Sequence, residues 1–114
     1  MQQIVDLQND VDFQATGVQV LSIARDSLDE MAAEQASLGI TDVPLLSDPE
    51  NIVAEQYNVL QWALENDEPG HTFILVDEDG TVVWIKDYGA PNNPDRTMYV
   101  PVAELIQAAE TALR

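Results

Sequence analysis

The stretch Thr72-Phe73-Ile74-Leu75-Val76-Asp77-Glu78-Asp79-Gly80-Thr81-Val82-Val83-Trp84-Ile85-Lys86 decides the architecture. Thr72 to Val76 is β-branched and aromatic. Asp77-Glu78-Asp79-Gly80 is turn chemistry, and Thr81 to Lys86 returns to strand-forming residues. The spacing predicts a β-hairpin. Gly80 in an acidic loop also invites a calcium reading, but the EF-hand register fails. With Gly80 at the sixth position, Leu75 takes the first and Lys86 the twelfth, and neither is a ligand there.

Outward from the hairpin the pattern turns helical. Upstream, Asn66-Asp67-Glu68-Pro69-Gly70 reads as a loop. Before it, Asp48 as N-cap and Pro49 at the first helical position predict a helix with Ile52, Val53 and Tyr57 facing inward. Val43-Pro44-Leu45-Leu46 is a short extended piece, which Pro44 keeps from the centre of a sheet. Ser27 and Glu30 form a capping box for a helix that Gly39 stops, with Leu28, Met31, Ala32 and Leu38 as its buried face. Val18 to Ala24 reads as a buried strand. Ile4, Leu7, Val11 and Ala15 recur at helical spacing, predicting one helix over 2–15 that ends before Gly17. Downstream, 88–96 is irregular. Pro101 opens a last helix whose inner face is Val102, Leu105, Ile106, Ala109 and Leu113. Strands alternating with amphipathic helices predict a layered α/β domain spanning 1–114.

Composition narrows the chemistry. The 114 residues carry 21 acidic and 4 basic side chains, a net charge of −17, and no cysteine. Arg25, Lys86, Arg96 and Arg114 are too few and too scattered to displace phosphate counterions, so nucleic acid is not an expected partner, nor is an anionic membrane surface. Apolar runs such as Phe73–Val76 fall far short of the roughly 20 residues a bilayer span needs. The N-terminus has no basic and apolar leader, so with Met1 as the native start the expectation is a cytoplasmic protein. Without cysteine there is no disulfide, thiolate–metal site or thiol catalysis in this chain. The five glycines are isolated, so no phosphate loop exists, and neither a cofactor nor a metal site is expected.

Three segments carry a resemblance. Gly17-Val18-Gln19-Val20-Leu21-Ser22-Ile23-Ala24-Arg25-Asp26-Ser27, Pro44-Leu45-Leu46-Ser47-Asp48-Pro49 and Thr72 to Gly80 resemble, in order, the strand-to-helix segment, the "PLLSD" stretch and the "TF…D-D-G" hairpin of peroxiredoxins of the alkyl hydroperoxide reductase/thiol-specific antioxidant family. The resemblance implies a thioredoxin-like layered sheet with flanking helices and a thiol-dependent oxidoreductase ancestry, acting on peroxides or disulfides. It also implies what is missing. The family's active-site cysteine opens the helix that starts here near Gln2, and the strand before that cysteine lies between the strands corresponding to 18–24 and 72–76. The expected fold is therefore incomplete, with its N-terminal strands missing. Rearranged pairing, strand donation by a protein partner or a swapped homo-oligomer would complete it.

Candidate site residues follow from the same comparison. Gly70, His71 and Thr72 occupy the loop that faces the active-site cysteine in thioredoxin relatives, and Arg25 ends a neighbouring strand. These four are the expected rim of a former active site, with no catalytic residue among them. The pattern departs from the family: His71 stands where a cis-proline often precedes the Thr, and Gly70 where peroxiredoxins often carry arginine. The plainer reading, a loop histidine closing a strand end, is preferred for His71. Hydrolytic or isomerase chemistry at His71 would require a carboxylate within hydrogen-bond reach of its ring. Arg25 could contact a carboxylate such as Asp26 or Asp48, or an anionic ligand, and an exposed ion pair is the preferred reading. Asp29/Glu30 and Glu65/Asp67 read as solvated faces. Trp62 and Trp84 are expected to pack in the core or at an interface.

Overall fold

The computed structural model describes residues 2–113, so Arg114 lies outside the described residues. The elements run α1 (Gln2–Asn9), α2 (Val11–Ala15), β1 (Ser22–Ala24), α3 (Leu28–Leu38), β2 (Leu45–Ser47), α4 (Ile52–Gln56), two short 3-10 turns at Val59–Trp62 and Glu65–Asp67, β3 (Thr72–Val76), β4 (Val82–Asp87) and α5 (Val102–Ala112). Among the described residues no helix is long and apolar enough to cross a membrane.

The hairpin forms as its residues dictate. β3 and β4 pair antiparallel from Thr72↔Asp87 to Leu75↔Trp84, with a register shift before Val76↔Val82. In the turn, the Asp77 carboxylate accepts from the backbone N–H groups of Asp79 and Thr81, both at 2.9 Å, an Asx geometry that fixes the reversal. β1 pairs parallel with β2. The two strand pairs form separate two-stranded sheets, and among the described residues no ladder joins β1 to β3. This is the interruption anticipated between the strands at 18–24 and 72–76.

Two packed clusters hold these pieces. Leu7, Phe13, Tyr88, Val100 and Leu105 form one, with Val18, Val20, Phe73 and Trp84 against it, so Trp84 belongs to the core side of its sheet. Met31, Ile40, Val43 and Leu45 form the other, flanked by Ile4, Val5, Val20 and Ala24.

Several boundaries differ from the sequence reading, each for a local reason. The single helix over 2–15 is broken at Asp10. Its extended backbone and its carboxylate, accepting from Phe13 N at 2.9 Å, restart the helix as α2. That rotates Val11 out to 75% exposure and turns Phe13 in. Only 22–24 of the predicted 18–24 strand is laddered.

The capping box of Ser27 and Glu30 is present, and Gly39 closes α3 at φ 68°, a left-handed conformation that glycine adopts without a Cβ clash. Of its predicted buried face only Met31 is buried; Leu28, Ala32 and Leu38 are exposed.

Pro49 does not start α4. Asn51, at φ 58°, does, and the buried Asp48 reaches past it to accept from Val53 N (3.2 Å) and Ala54 N (3.0 Å). This shift leaves Ile52 and Tyr57 exposed and Ala54 buried. In α5, Leu105 and Ala109 are buried, Val102 and Ile106 half-buried, and Leu113 exposed.

Candidate functional site

His71 sits at the entry to β3, where three elements converge. Its backbone carbonyl accepts from Tyr88 N at 2.9 Å, extending the hairpin by one rung. Its ring meets Phe73 edge to face at 4.9 Å, and Phe73 meets Tyr88 in the same way at 5.7 Å. Gly89 makes this possible. A Cβ there would lie 2.5 Å from the His71 backbone nitrogen, a separation no side chain tolerates.

The ring's polar partner is Gln3, which is 4% exposed. His71 Nε2 lies 3.2 Å from Gln3 Oε1. An amide oxygen only accepts, so Nε2 carries the hydrogen. Gln3 also clamps Val100 on both backbone groups: Gln3 Nε2 donates to the Val100 carbonyl at 3.0 Å, and Val100 N donates to Gln3 Oε1 at 2.7 Å. One amide side chain thus joins α1, the β3 entry and the segment leading into α5. Burial pushes the His71 pKa below its usual value, against the opposing negative charge of Asp87. Burial therefore favours the neutral imidazole.

Asp87 does not serve that ring as a base. Its Oδ1 accepts from Thr72 Oγ1 at 2.9 Å and Gly89 N at 3.2 Å, and its Oδ2 accepts from Ala90 N at 2.9 Å. A carboxylate so engaged shapes the 87–90 turn. The hydrogen-bond partner of the imidazole is an amide, not a carboxylate, so the condition for acid–base hydrolysis or isomerisation at His71 is not met. Tyr88, also buried, donates its hydroxyl to Glu104 at 2.6 Å; burial, then this carboxylate, pushes its pKa far up.

Arg25 is elsewhere. Its Nη1 donates to the Asn66 carbonyl at 2.7 Å and lies 3.3 Å from Glu68 Oε2. Its partner is therefore Glu68, not Asp26 or Asp48. With both side chains a third or more exposed, the pair contributes little to stability. It ties the end of β1 to the loop approaching Gly70, whose own neighbours are Trp62 and Gly89. The structure thus brings Gly70, His71 and Thr72 together around Gly89 and Asp87 and leaves Arg25 to the preceding loop.

Gln3, Asp87, Tyr88 and Gly89 were not singled out in the sequence. Gln3 did carry one signal: it lies four residues before Leu7, on the face of α1 that Leu7 buries. Shallow depressions along α3 and between α2 and α5 do not border His71. Among the described residues no group of histidine and carboxylate side chains is arranged to hold a metal.

Comparison with known proteins places this arrangement. The mitochondrial 2-Cys peroxiredoxin from Plasmodium falciparum superposes with a TM-score of 0.73 at 22% identity, covering 96% of this chain and 64% of that one. The fold is therefore thioredoxin-like, and the chain spans about two thirds of the length of that solved structure. No curated protein gives a significant match. The sequence profile of the AhpC/TSA family matches residues 1–85, most of the chain and the whole region from α1 through β3, and the chain belongs to that family.

Proposed function

We propose that this chain is a cysteine-free portion of a peroxiredoxin-like oxidoreductase scaffold, without peroxidase activity of its own. The observation that carries this is the absence of any cysteine from a chain of this family. Peroxide reduction by such a scaffold needs a thiolate. The sulfur attacks one peroxide oxygen, the O–O bond breaks, and a sulfenic acid and water or an alcohol result. No side chain around His71 supplies that electron pair. The imidazole is bound to Gln3, the Asp87 carboxylate is engaged, and the Tyr88 phenol is held protonated beside Glu104. Gly70, His71 and Thr72 then form a structural rim, not a catalytic one, and Arg25 ties down the loop before them. Beyond the consumption by dithiothreitol alone, purified protein with dithiothreitol and hydrogen peroxide should consume no more peroxide than its 3 methionines can take up stoichiometrically. Sustained thiol-dependent turnover beyond that, above a heat-inactivated control, refutes the reading.

A second reading, a non-catalytic interaction module that binds itself or a protein partner, is favoured by the split sheet. Among the described residues β1 and β3 each have one ladder partner, and unpaired strand edges recruit other strands. Fast hydrogen exchange at the outward edge of both strands in the isolated chain supports this reading; protection of both edges in a monomer removes it.

A further inference from the structure

We propose that Asp79 is a site of spontaneous isomerisation to isoaspartate, and that the Asp77 carboxylate gates the reaction. The proposal concerns the hairpin tip alone and is independent of the oxidoreductase reading.

The sequence singles out one peptide bond. Gly17, Gly39, Gly70 and Gly89 follow Thr16, Leu38, Pro69 and Tyr88, and only Gly80 follows an aspartate or asparagine. An aspartyl side chain can react with the backbone nitrogen of the next residue. The nitrogen attacks Cγ, a C–N bond forms, a Cγ–O bond breaks, and water leaves with the amide proton. The product is a five-membered succinimide. Water then adds to one of its two carbonyl carbons. Opening at Cγ restores aspartate. Opening at the α-carbonyl leaves the chain running through Cβ and Cγ as isoaspartate. Water is the only co-reactant, and the mass is unchanged.

Asp79 and Gly80 suit this chemistry. A side chain on the following residue crowds the attacking nitrogen, and glycine has none. Both residues are exposed, and the Cβ position of Gly80 has nothing within 4 Å. Asp26–Ser27, where the following residue is also small, is held differently. Ser27 carries a Cβ, its N–H donates to the Glu30 carboxylate at 3.0 Å, and it caps α3.

The turn itself is the gate. Gly80 N donates to the Asp77 carbonyl at 3.1 Å, and Asp77 N donates to the Thr81 carbonyl at 2.9 Å. The Asp77 carboxylate accepts from Asp79 N and Thr81 N, each at 2.9 Å. A succinimide nitrogen carries no hydrogen, so ring closure gives up the bond from Gly80 N to Asp77. Local opening of the turn is therefore a step on the way, and the two side-chain bonds of Asp77 oppose it. Isoaspartate then adds one methylene to the backbone between Asp77 and Thr81. The spacing that let one carboxylate hold both N–H groups is lost, and the turn cannot close again in its former register.

The test incubates the whole chain in mildly acidic buffer at body temperature, sampled over weeks. Isoaspartate is counted by transfer of a labelled methyl group with an isoaspartyl methyltransferase. It is placed by an aspartate-directed endoproteinase, which no longer cuts before residue 79 once that residue has isomerised. The folded wild-type chain should accumulate isoaspartate at residue 79. Asp79→Glu should stay at background, because glutamate would have to close a six-membered ring. Asp77→Ala, its fold checked by far-UV circular dichroism, should isomerise at least about fivefold faster through the loss of two hydrogen bonds. The wild-type chain unfolded in guanidinium chloride lacks the whole turn and should be faster still; it decides the gate if Asp77→Ala does not fold. As much isoaspartate in Asp79→Glu as in the wild type overturns the proposal. So does a folded wild-type rate equal to the unfolded one, or an unchanged rate in folded Asp77→Ala.

Discussion

Replacing Gln3 by methionine tests whether one buried amide holds the N-terminal helix, the β3 entry and the α5 approach together. Gln3 is 4% exposed and Val100 is 1% exposed. The substitution therefore strands the Val100 N–H and C=O where water cannot reach them. Each orphaned backbone group costs about 1–3 kcal/mol. The released His71 ring is half-buried and regains water, so it adds little. Methionine is close in volume and returns part of the loss through apolar burial, about 1 kcal/mol. The expected net destabilisation is about 1–5 kcal/mol by these terms. At about 4 °C per kcal/mol for a chain of this size, the melting temperature falls by about 4–20 °C. Urea and thermal unfolding, followed by far-UV circular dichroism and tryptophan fluorescence, measure it. Gln61→Met is the control: Gln61 is exposed, donates one bond to the Asn58 carbonyl at 2.9 Å, and should change stability by no more than about 0.5 kcal/mol. A loss below about 1 kcal/mol for Gln3→Met refutes the hub role, since it means that the Val100 groups find other partners.

Further outcomes follow from the same geometry. Gly89→Ala places a methyl against immovable backbone at His71 and should cost at least about 2 kcal/mol, read by chemical denaturation. A normal unfolding midpoint would show that the turn yields freely. Asp48→Ala removes the acceptor for Val53 N and Ala54 N, with an expected loss of about 1–3 kcal/mol and partial recovery in Asp48→Asn. His71 has its folded-state pKa lowered below the usual 6.5, so the unfolded chain binds more protons as pH falls through that value. Its contribution is whole above about pH 6.5 and is lost progressively below it, toward the folded-state pKa. His71→Gln should flatten this part of the stability–pH curve; an unchanged slope would show that burial does not disfavour the charged ring.

What could be read from the sequence was local. The hairpin turn at Asp77–Thr81, the Ser27–Glu30 capping box and the Gly39 stop each depend on residues within four positions of one another, and each forms as read. The failures came where a short-range signal met a tertiary or competing local one. Asp10 interrupts an apolar helical repeat because its carboxylate caps Phe13 N, which outweighs continuity of the stripe. Asp48 does cap α4, but across Asn51 in a left-handed conformation, so the helix face rotates and Ile52 turns outward. The α3 stripe was correctly helical but covers too little sheet to bury Leu28 and Leu38. At the candidate site, Gly70, His71 and Thr72 were found through their place before a strand. Gln3 and Gly89 could not be found that way, because their partners lie far along the chain. The predicted gap between β1 and β3 came from the family resemblance, and the unjoined ladders match it.

The Gln3–Val100 clamp spans 97 residues of sequence, which has a consequence during synthesis. Translation at about 5–20 residues per second leaves the first helix waiting about 5–20 s before its acceptor is made. Until then, the buried face of α1 has neither Val100 nor Leu105 to close against, and the hairpin entry at His71 lacks its third support. The cluster around Leu7 and Phe13 therefore forms late, and the growing chain leaves these two side chains without Val100 and Leu105 until both have been made. Nascent chains stalled before residue 100 should accordingly be far more open to protease than those released with α5 complete.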